Sequence, residues 1–538
     1  MNIFKKGKRR YKLFPLLIFL CFLVSAFQNC TGGLSTQQQL SQNLNYITSS
    51  NDVISPPQSA SSSTTTIPPQ SSMTSTPTTS YTAKYYIRMG ATGNGSGSDW
   101  TNACPDFTGV CNPSSMVRGA IYYVATGTYA GYYDFNEPDN SSTVITIKGA
   151  TSADHGIDAG WKNNFSVSVA DGGRQATFTN ALKFTSNHWI IDGSVGSAQS
   201  SATASSNYGF GIHNDSTSSG GGLAATFAQG IKNVTISHFE IDGIQWDIKG
   251  AVGANAFYVT PSAQCADFTQ GLTFDHVFVH DQKGTPFMMG GNINIQYSYI
   301  VRIRSTPGWH GEGVASRGDC GTGQIDHSVF RYNVFQDVHG TGNLVVLYNT
   351  GRNWQVYGNV FYSTGATCTD CNGVGPTVVD NTDSGFLIGL KFYNNTIYNS
   401  DGKCGAFSTN TSGSSSFDIR NNIFYGCKGG ISLGSSSSGD TLDYNTYWNS
   451  YIYFCDGTGG CPGTHDSYIC GTKSPCYVNL GTPPAASSVF VNPNSGDFRL
   501  QSNTISGFNL FGSNLNPPYN VDMNGKIRTR WSKGAFEY

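Results

Sequence analysis

The chain has 538 residues, of which only 12% are charged and 13% are aromatic, with 65 glycines. Such a composition favours many short strands and turns over long helices. The formal net charge of −2 hides six basic residues at the N-terminus (Lys5, Lys6, Lys8, Arg9, Arg10 and Lys12), without which 25 basic residues face 33 acidic ones; a mildly acidic body excludes nucleic acid and an anionic membrane surface as electrostatic partners.

The basic run leads into an apolar stretch from Leu13 to Ala26. That is shorter than the about 20 residues needed to span a bilayer, and it is the layout of a secretory signal. Two cleavage readings compete. Val24-Ser25-Ala26 suits an ordinary signal peptidase, while Cys30 resembles the lipidated cysteine of bacterial lipoproteins, although Phe27-Gln28-Asn29 departs from the usual lipobox. Residues 1–30 are therefore expected to be a lipoprotein-like signal sequence. The protein is expected to be exported, anchored on the outer membrane or cell surface by a lipid, or otherwise secreted. Residues 31–80 are dominated by Ser, Thr, Gln, Asn and Pro, with Asp52 their only charge. They cannot bury enough apolar surface to order themselves and read as a tether with a reach of roughly 40 Å.

Residues 81–538 carry the fold. The segments Lys84–Trp100 and Ile121–Tyr129 read as opening strands with Gly-rich turns, and 130–233 as less regular coils with projecting Gly/Ser-rich turns. From Val234 onward a short strand returns between Gly-rich turns, at Val234–Ile236, Leu272–Phe274, Ile293–Ile295, Val356–Asn359 and Ile419–Asn422. Its later copies share an Asn two positions before an aromatic or branched residue: Asn333, Asn359, Asn395, Asn422 and Asn445, at intervals of 26, 36, 27 and 23 residues. One side chain recurring once per coil of three strands and three turns is what a solenoid produces. An inward Asn can bond its own bend and the equivalent Asn a rung away. The expected fold is all-β, a single-stranded right-handed parallel β-helix solenoid of at least eight coils, with both ends capped.

Setting aside Cys21 and Cys30, twelve cysteines remain, an even number suited to disulfides in an exported chain. Cys104 and Cys111 would clip a local loop. Cys404 and Cys427, 23 residues apart, would bridge adjacent coils. Residues 450–486 carry four cysteines and read as a clipped insertion. The closing segment contains Asp497–Leu500, Asp522–Arg528 and Gly534–Tyr538.

The opening and closing segments resemble those of secreted pectate-lyase-like β-helix proteins, over roughly residues 84–538, although Asn503-Thr504-Ile505-Ser506 departs from the usual Ser-Pro-Ala. The resemblance implies architecture more than chemistry, because the fold hosts lyases, hydrolases, epimerases and non-catalytic binders.

Candidate chemistry gathers in the centre of the chain. His310-Gly311-Glu312-Gly313, His339-Gly340-Thr341-Gly342 and Asn372-Gly373-Val374-Gly375 recur at intervals of 29 and 33, which predicts a column of His310, His339 and Asn372 beside Glu312. Lys283 and Arg304 are 21 residues apart, about one coil. A uronate polysaccharide gives this set a coherent task. β-Elimination needs the sugar carboxylate neutralised, a proton abstracted and the leaving oxygen protonated. Lys283 or His310 would be the base, Arg304 the partner of the carboxylate and Glu312 an orienting group or metal ligand, with His339 alongside. Calcium is a possible cofactor implied by the resemblance, with Glu312, Asp319 and Asp281 as available ligands. A glycoside hydrolase is less well supported: Asn381-Thr382-Asp383 is similar to one polygalacturonase motif, but the chain has no Asp-Asp dipeptide. The alternative from another class is a non-catalytic carbohydrate-binding or adhesive solenoid, using Trp246, Trp309, Tyr348, Trp354 and Tyr357 as a stacking platform. Polysaccharide is the expected partner, the membrane is met only through a lipid, and the solenoid is expected to be a monomer.

Overall fold

Short apolar-alternating runs broken by Asn, Gly and aromatic bends form strands that pair with their successors one coil later. The computed structural model describes residues 83–538 apart from 197–207, 214–223, 244–254, 260–269, 290–291, 306–310, 318–326, 341, 348–349, 366–376, 383–385, 400–404, 410–415, 428–429, 434–440, 449–466, 470–483 and 506–507. On a first face, Asn292–Gln296, Val329–Arg331, Gln355–Tyr357, Lys391–Tyr393 and Asp418–Arg420 pair in parallel in that order. On a second face, Tyr299–Arg304, Val334–His339, Val360–Ser363, Thr396–Asn399 and Ile423–Tyr425 do the same. The third face is a 10-stranded parallel sheet running from Asp134–Phe135 to Gly430–Leu433. Among the described residues the α-helix is confined to Ala486–Val489. The chain is a parallel β-helix, with the right-handed crossovers that such connections adopt.

The bend between the first and second faces explains the asparagine repeat. One residue takes a left-handed conformation at Tyr297, Tyr332, Gly358, Asn394, Asn421 and Tyr444, and the next residue turns inward. That inward residue is Ser298 and then Asn333, Asn359, Asn395, Asn422 and Asn445, all fully buried. Each Asn Oδ1 accepts the backbone N–H of the equivalent residue one coil earlier: Ser298 to Asn333 at 2.9 Å, Asn333 to Asn359 at 2.9 Å, Asn359 to Asn395 at 2.9 Å, Asn395 to Asn422 at 2.8 Å and Asn422 to Asn445 at 3.1 Å. Each Asn Nδ2 donates to a carbonyl of the preceding coil, as Asn395 does to Val356 at 2.9 Å. Donors and acceptors that the bend takes out of the strand ladder are thereby satisfied inside the core, where leaving them unpaired is costly. Two residues on, Phe335 stacks on Phe361 at 4.9 Å and Phe424 on Tyr447 at 5.0 Å.

Outside the same bend the left-handed residues stack as rings. His238 lies on His276 at 5.0 Å, His276 on Tyr297 at 5.2 Å and Tyr297 on Tyr332 at 5.0 Å. Gly358 ends the stack, since a Cβ there would lie 2.6 Å from the Tyr332 ring.

The two ends are treated differently. At the N-terminal edge the Cys104–Cys111 disulfide holds a loop against the first strand, with Cys104 N donating to Tyr86 O at 2.8 Å and Arg88 N to Cys104 O at 2.9 Å. The expected cap is present there. The closing segment instead runs along the flank of the solenoid. Its Gly534 N donates to Asn421 O at 2.8 Å, Ala535 N to Thr396 Oγ1 at 3.0 Å, and the buried Lys533 Nζ to Asn445 O at 3.3 Å. The reason is apolar: Tyr332, Tyr357 and Tyr393 face outward on successive coils and form one buried cluster with Phe498, Leu510 and Tyr519. Its sequence motif is a self-binding knot. Arg528 donates to the carbonyls of Ser532, Gly534 and Ala535, each at 2.9 Å, and Glu537 accepts from the backbone of Thr529, Arg530 and Ser532.

Cys427 is in a disulfide, and Cys404 lies outside the described residues. Peptide mapping without reduction is expected to join the two, and a different partner for Cys427 would contradict the one-coil spacing. The Asn395→Ala change removes an acceptor and a donor from the middle of the ladder. It is expected to destabilise the fold by about 2–4 kcal/mol, from two buried groups left unpaired. Denaturant unfolding checks this, and a loss no larger than that of a surface Asn→Ala change would show that the ladder contributes nothing of its own.

Candidate functional site

Along the second face inward and outward side chains alternate. Ile241, Val279, Ile300 and Phe335 point to the core, while Glu240, Asp242 and His280 point out. A second left-handed bend then occurs at Asp281 (φ 55°), Arg302 (φ 53°) and Asp337 (φ 51°) on three successive coils. Two residues beyond it come Lys283, Arg304 and His339. Lys283 is the register partner of Arg304, and Arg304 that of His339. The expected pairing of Lys283 with Arg304 is therefore present, and His339 extends it by one coil. Lys283 is 1% exposed and Arg304 0%, while His339 keeps partial contact with solvent.

Of the expected column of His310, His339 and Asn372, His339 alone is described; His310, like Asp319, Asn372 and Asp383, lies outside the described residues. The glycines of the first two motifs do meet: a Cβ at Gly340 would lie 2.0 Å from Gly311 O, and Gly313 N donates to Gly342 O at 3.3 Å. Glu312 is 0% exposed and accepts Thr285 Oγ1 at 2.5 Å, which brings its carboxylate beside the segment that follows Lys283. Of the aromatic platform, Trp354 is core and packs on Phe330 at 5.3 Å, and Tyr357 is buried against Tyr519 at 4.9 Å. Trp246, Trp309 and Tyr348 lie outside the described residues.

Beside the column lies a hydrogen-bonded cluster that periodicity alone does not single out. Glu240 is 0% exposed; its Oε2 accepts Gln175 Nε2 at 2.8 Å and its Oε1 is 3.1 Å from His280 Nε2. His280 Nδ1 is 2.7 Å from Asp281 Oδ2, and Arg302 donates to both oxygens of Asp281, through Nε and through Nη2 at 2.5 Å. At the other end, His213 Nε2 is 2.8 Å from Gln175 Oε1, with its Nδ1 3.6 Å from Asp242. Burial alone would push the His280 imidazole down. Its bonds to Asp281 and Glu240 and the charge of Asp242 outweigh that and raise it to about 9. Burial would likewise raise Asp281, but hydrogen bonds from Arg302 and His280 hold it down at about 2. His280 and Asp281 are thus both charged at neutral pH, alongside the Arg302 guanidinium.

The ligating atoms of Asp242, His280 and Asp281 lie within 4.8 Å of one another, so a cation could be held among them. Calcium takes 6–8 oxygen ligands. Here one donor is an imidazole, and both Asp281 oxygens are already taken by Arg302. The donor set as it stands does not fit that ion.

No family model matches the sequence, and no curated protein does either. Solved structures with a similar course include the pectate lyase Pel9A, at 14% identity with a TM-score of 0.39, covering 85% of this chain and 97% of that one. The PL6 family alginate lyase AlyGC is 13% identical with a TM-score of 0.35; 70% of this chain matches, and it spans about half (53%) of that enzyme's length. A rhamnogalacturonan lyase is 11% identical with a TM-score of 0.35, covering 63% of this chain and 87% of that one.

The two shifted groups predict how stability varies with pH. His280 is raised, so its contribution is complete below about pH 6.5 and is lost as pH rises through about 9. Asp281 is lowered, so its contribution is complete above about pH 4 and is lost as pH falls towards about 2. The melting temperature is expected to decline between about pH 6.5 and 9, and His280→Gln to flatten that alkaline limb. An unchanged limb in the variant would show that the imidazolium does not hold the cluster together.

Proposed function

We propose that the chain is an exported polysaccharide-active protein, a lyase that cleaves a uronate-containing polymer by β-elimination along the second face. One observation carries this: Lys283, Arg304 and His339 occupy one register column on three successive coils, beside a polar cluster in a chain otherwise poor in charge. A polymer chain laid across the coils would run along this column, and would meet Lys283 and Arg304 once their enclosure opened to admit it. Arg304 would pair with the sugar carboxylate and stabilise the charge that develops on it when the C5 proton leaves. Lys283 would take that proton as the base. The C5–H electrons form the C4–C5 double bond as the C4–O bond breaks, and His339 would give a proton to the departing oxygen. Glu312, held by Thr285, would orient the Lys283 end of the column.

Calcium is given no part in this reading, since the Asp242, His280 and Asp281 donors, with both Asp281 oxygens held by Arg302, do not fit it. Export, with a lipid anchor or as a secreted protein, rests on the N-terminal basic-apolar layout and Cys30. No helix among the described residues is long and apolar enough to cross a membrane.

A second reading, a non-catalytic carbohydrate-binding solenoid, is favoured by the burial of Lys283, Arg304 and Glu312. Buried charges of this kind also serve to pin one register.

Turnover separates the two. Incubation with pectate, alginate and other uronate polymers is expected to raise the ultraviolet absorbance of an unsaturated product, and Lys283→Ala to lower the rate by at least about 100-fold. Binding of a polymer without any unsaturated product, unchanged in the variant, would establish the binder instead.

A further inference from the structure

Three non-glycine residues on consecutive coils share the left-handed conformation at one register position: Asp281, Arg302 and Asp337. Aspartate tolerates that conformation better than most residues, whereas arginine gains nothing from it locally. What the position supplies is charge, which alternates down the column. Asp281 holds Arg302 through both of its oxygens and also takes His280 Nδ1 at 2.7 Å. Asp337 is buried on the far side of Arg302 and is itself fixed, accepting Thr364 N at 2.7 Å and Thr364 Oγ1 at 2.9 Å. Beyond each of the three lies one inward residue (Gln282, Ile303 or Val338), and then the side chain of the proposed reaction column. The bend therefore sets both where Lys283, Arg304 and His339 leave the sheet and how they are spaced along the axis.

We infer that Asp281, Arg302 and Asp337 form an ionic positioning rib whose role is to hold Lys283, Arg304 and His339 in reactive alignment, with Arg302 as its centre. This rests on the lyase reading of the column. None of the three rib residues is assigned contact with the reacting atoms. Their effect is exerted through the backbone, and displacement of a reacting group by about 1 Å can cost about 100-fold in rate.

The test is Arg302→Gly, because glycine accepts the left-handed bend without strain while removing the ion pairs. The expected result is a melting temperature within a few degrees of wild type and KM within about twofold, with kcat lowered by at least about 30-fold. Arg302→Lys, which keeps the charge but not the two-pronged bond, is expected to recover part of that loss. Crystal structures of the wild type and the glycine variant are expected to differ by about 1 Å in the positions of the Arg304 and His339 side chains. A glycine variant with wild-type kcat and an unmoved column overturns the rib. If the wild-type protein turns over no uronate polymer, the lyase reading falls, and the crystallographic comparison alone decides the rib: a shifted column supports it and an unmoved one overturns it. Should the glycine variant not fold, Asp281→Asn carries the same comparison, since it keeps the side chain's shape and removes its charge.

Discussion

Everything in this protein depends on the one-residue left-handed bend between the first and second faces, and on the way its polar groups are satisfied by the next coil. A bend breaks a strand ladder and leaves an amide and a carbonyl facing the core. In a globular protein such groups are taken up by side chains of many kinds. Here the equivalent bend lies one rung away, so a single residue type can serve a run of successive coils. Asn333, Asn359, Asn395, Asn422 and Asn445 each accept the amide of the coil before and donate to its carbonyl. Register is thereby fixed at one edge of each strand, and the rest of the strand follows. Earlier coils, where the bends at His238 and His276 are followed by Phe239 and Val277, hold their register through longer continuous strands instead, Lys232–Asp242 and Gln270–Lys283.

Fixed register is what turns a list of dispersed residues into a site. Lys283, Arg304 and His339 are spread over 57 positions of the sequence, yet in a solenoid each is carried to the same register position on consecutive strands. The stacking that puts like groups together also brings like charges together, and that demands compensation. It is found in the interleaving of Asp281, Arg302 and Asp337, and in Glu240, Asp242 and His280 alongside. Charge is scarce elsewhere on the chain, so this concentration reflects a constraint local to the second face.

The parts legible in the sequence were those in which one residue type repeats at one structural position. The asparagine series and the apolar residue two places after each Asn show the coil length directly. The 21-residue step from Lys283 to Arg304 was also readable, because the strands that carry them follow each other with no insertion after the bend. The His310 to His339 step is legible in the glycines of the two motifs, Gly311 lying beside Gly340 and Gly313 bonding Gly342, while His310 itself lies outside the described residues. The ionic rib left no repeating letter, since a column of Asp, Arg and Asp has physical unity in charge alternation and backbone conformation, not in residue type. The Glu240, Asp242 and His280 cluster was missed because outward positions carry no periodic constraint. Its one signal was the presence of histidine and acid on the polar phase of strands whose other phase is apolar. The closing segment was recognised as a unit, but its place on the flank depends on Tyr332, Tyr357 and Tyr393 facing outward, which burial alone reveals.

The central claim is that a uronate chain is read by the Lys283, Arg304 and His339 column. The most direct measurement is a crystal structure of a Lys283→Met variant with a bound uronate oligosaccharide. The account predicts one sugar carboxylate within hydrogen-bonding distance of the Arg304 guanidinium, with C5 of that sugar facing residue 283 and the next glycosidic oxygen facing His339. An oligosaccharide seated on another face, or one whose carboxylates bind elsewhere while Arg304 stays enclosed, would contradict it.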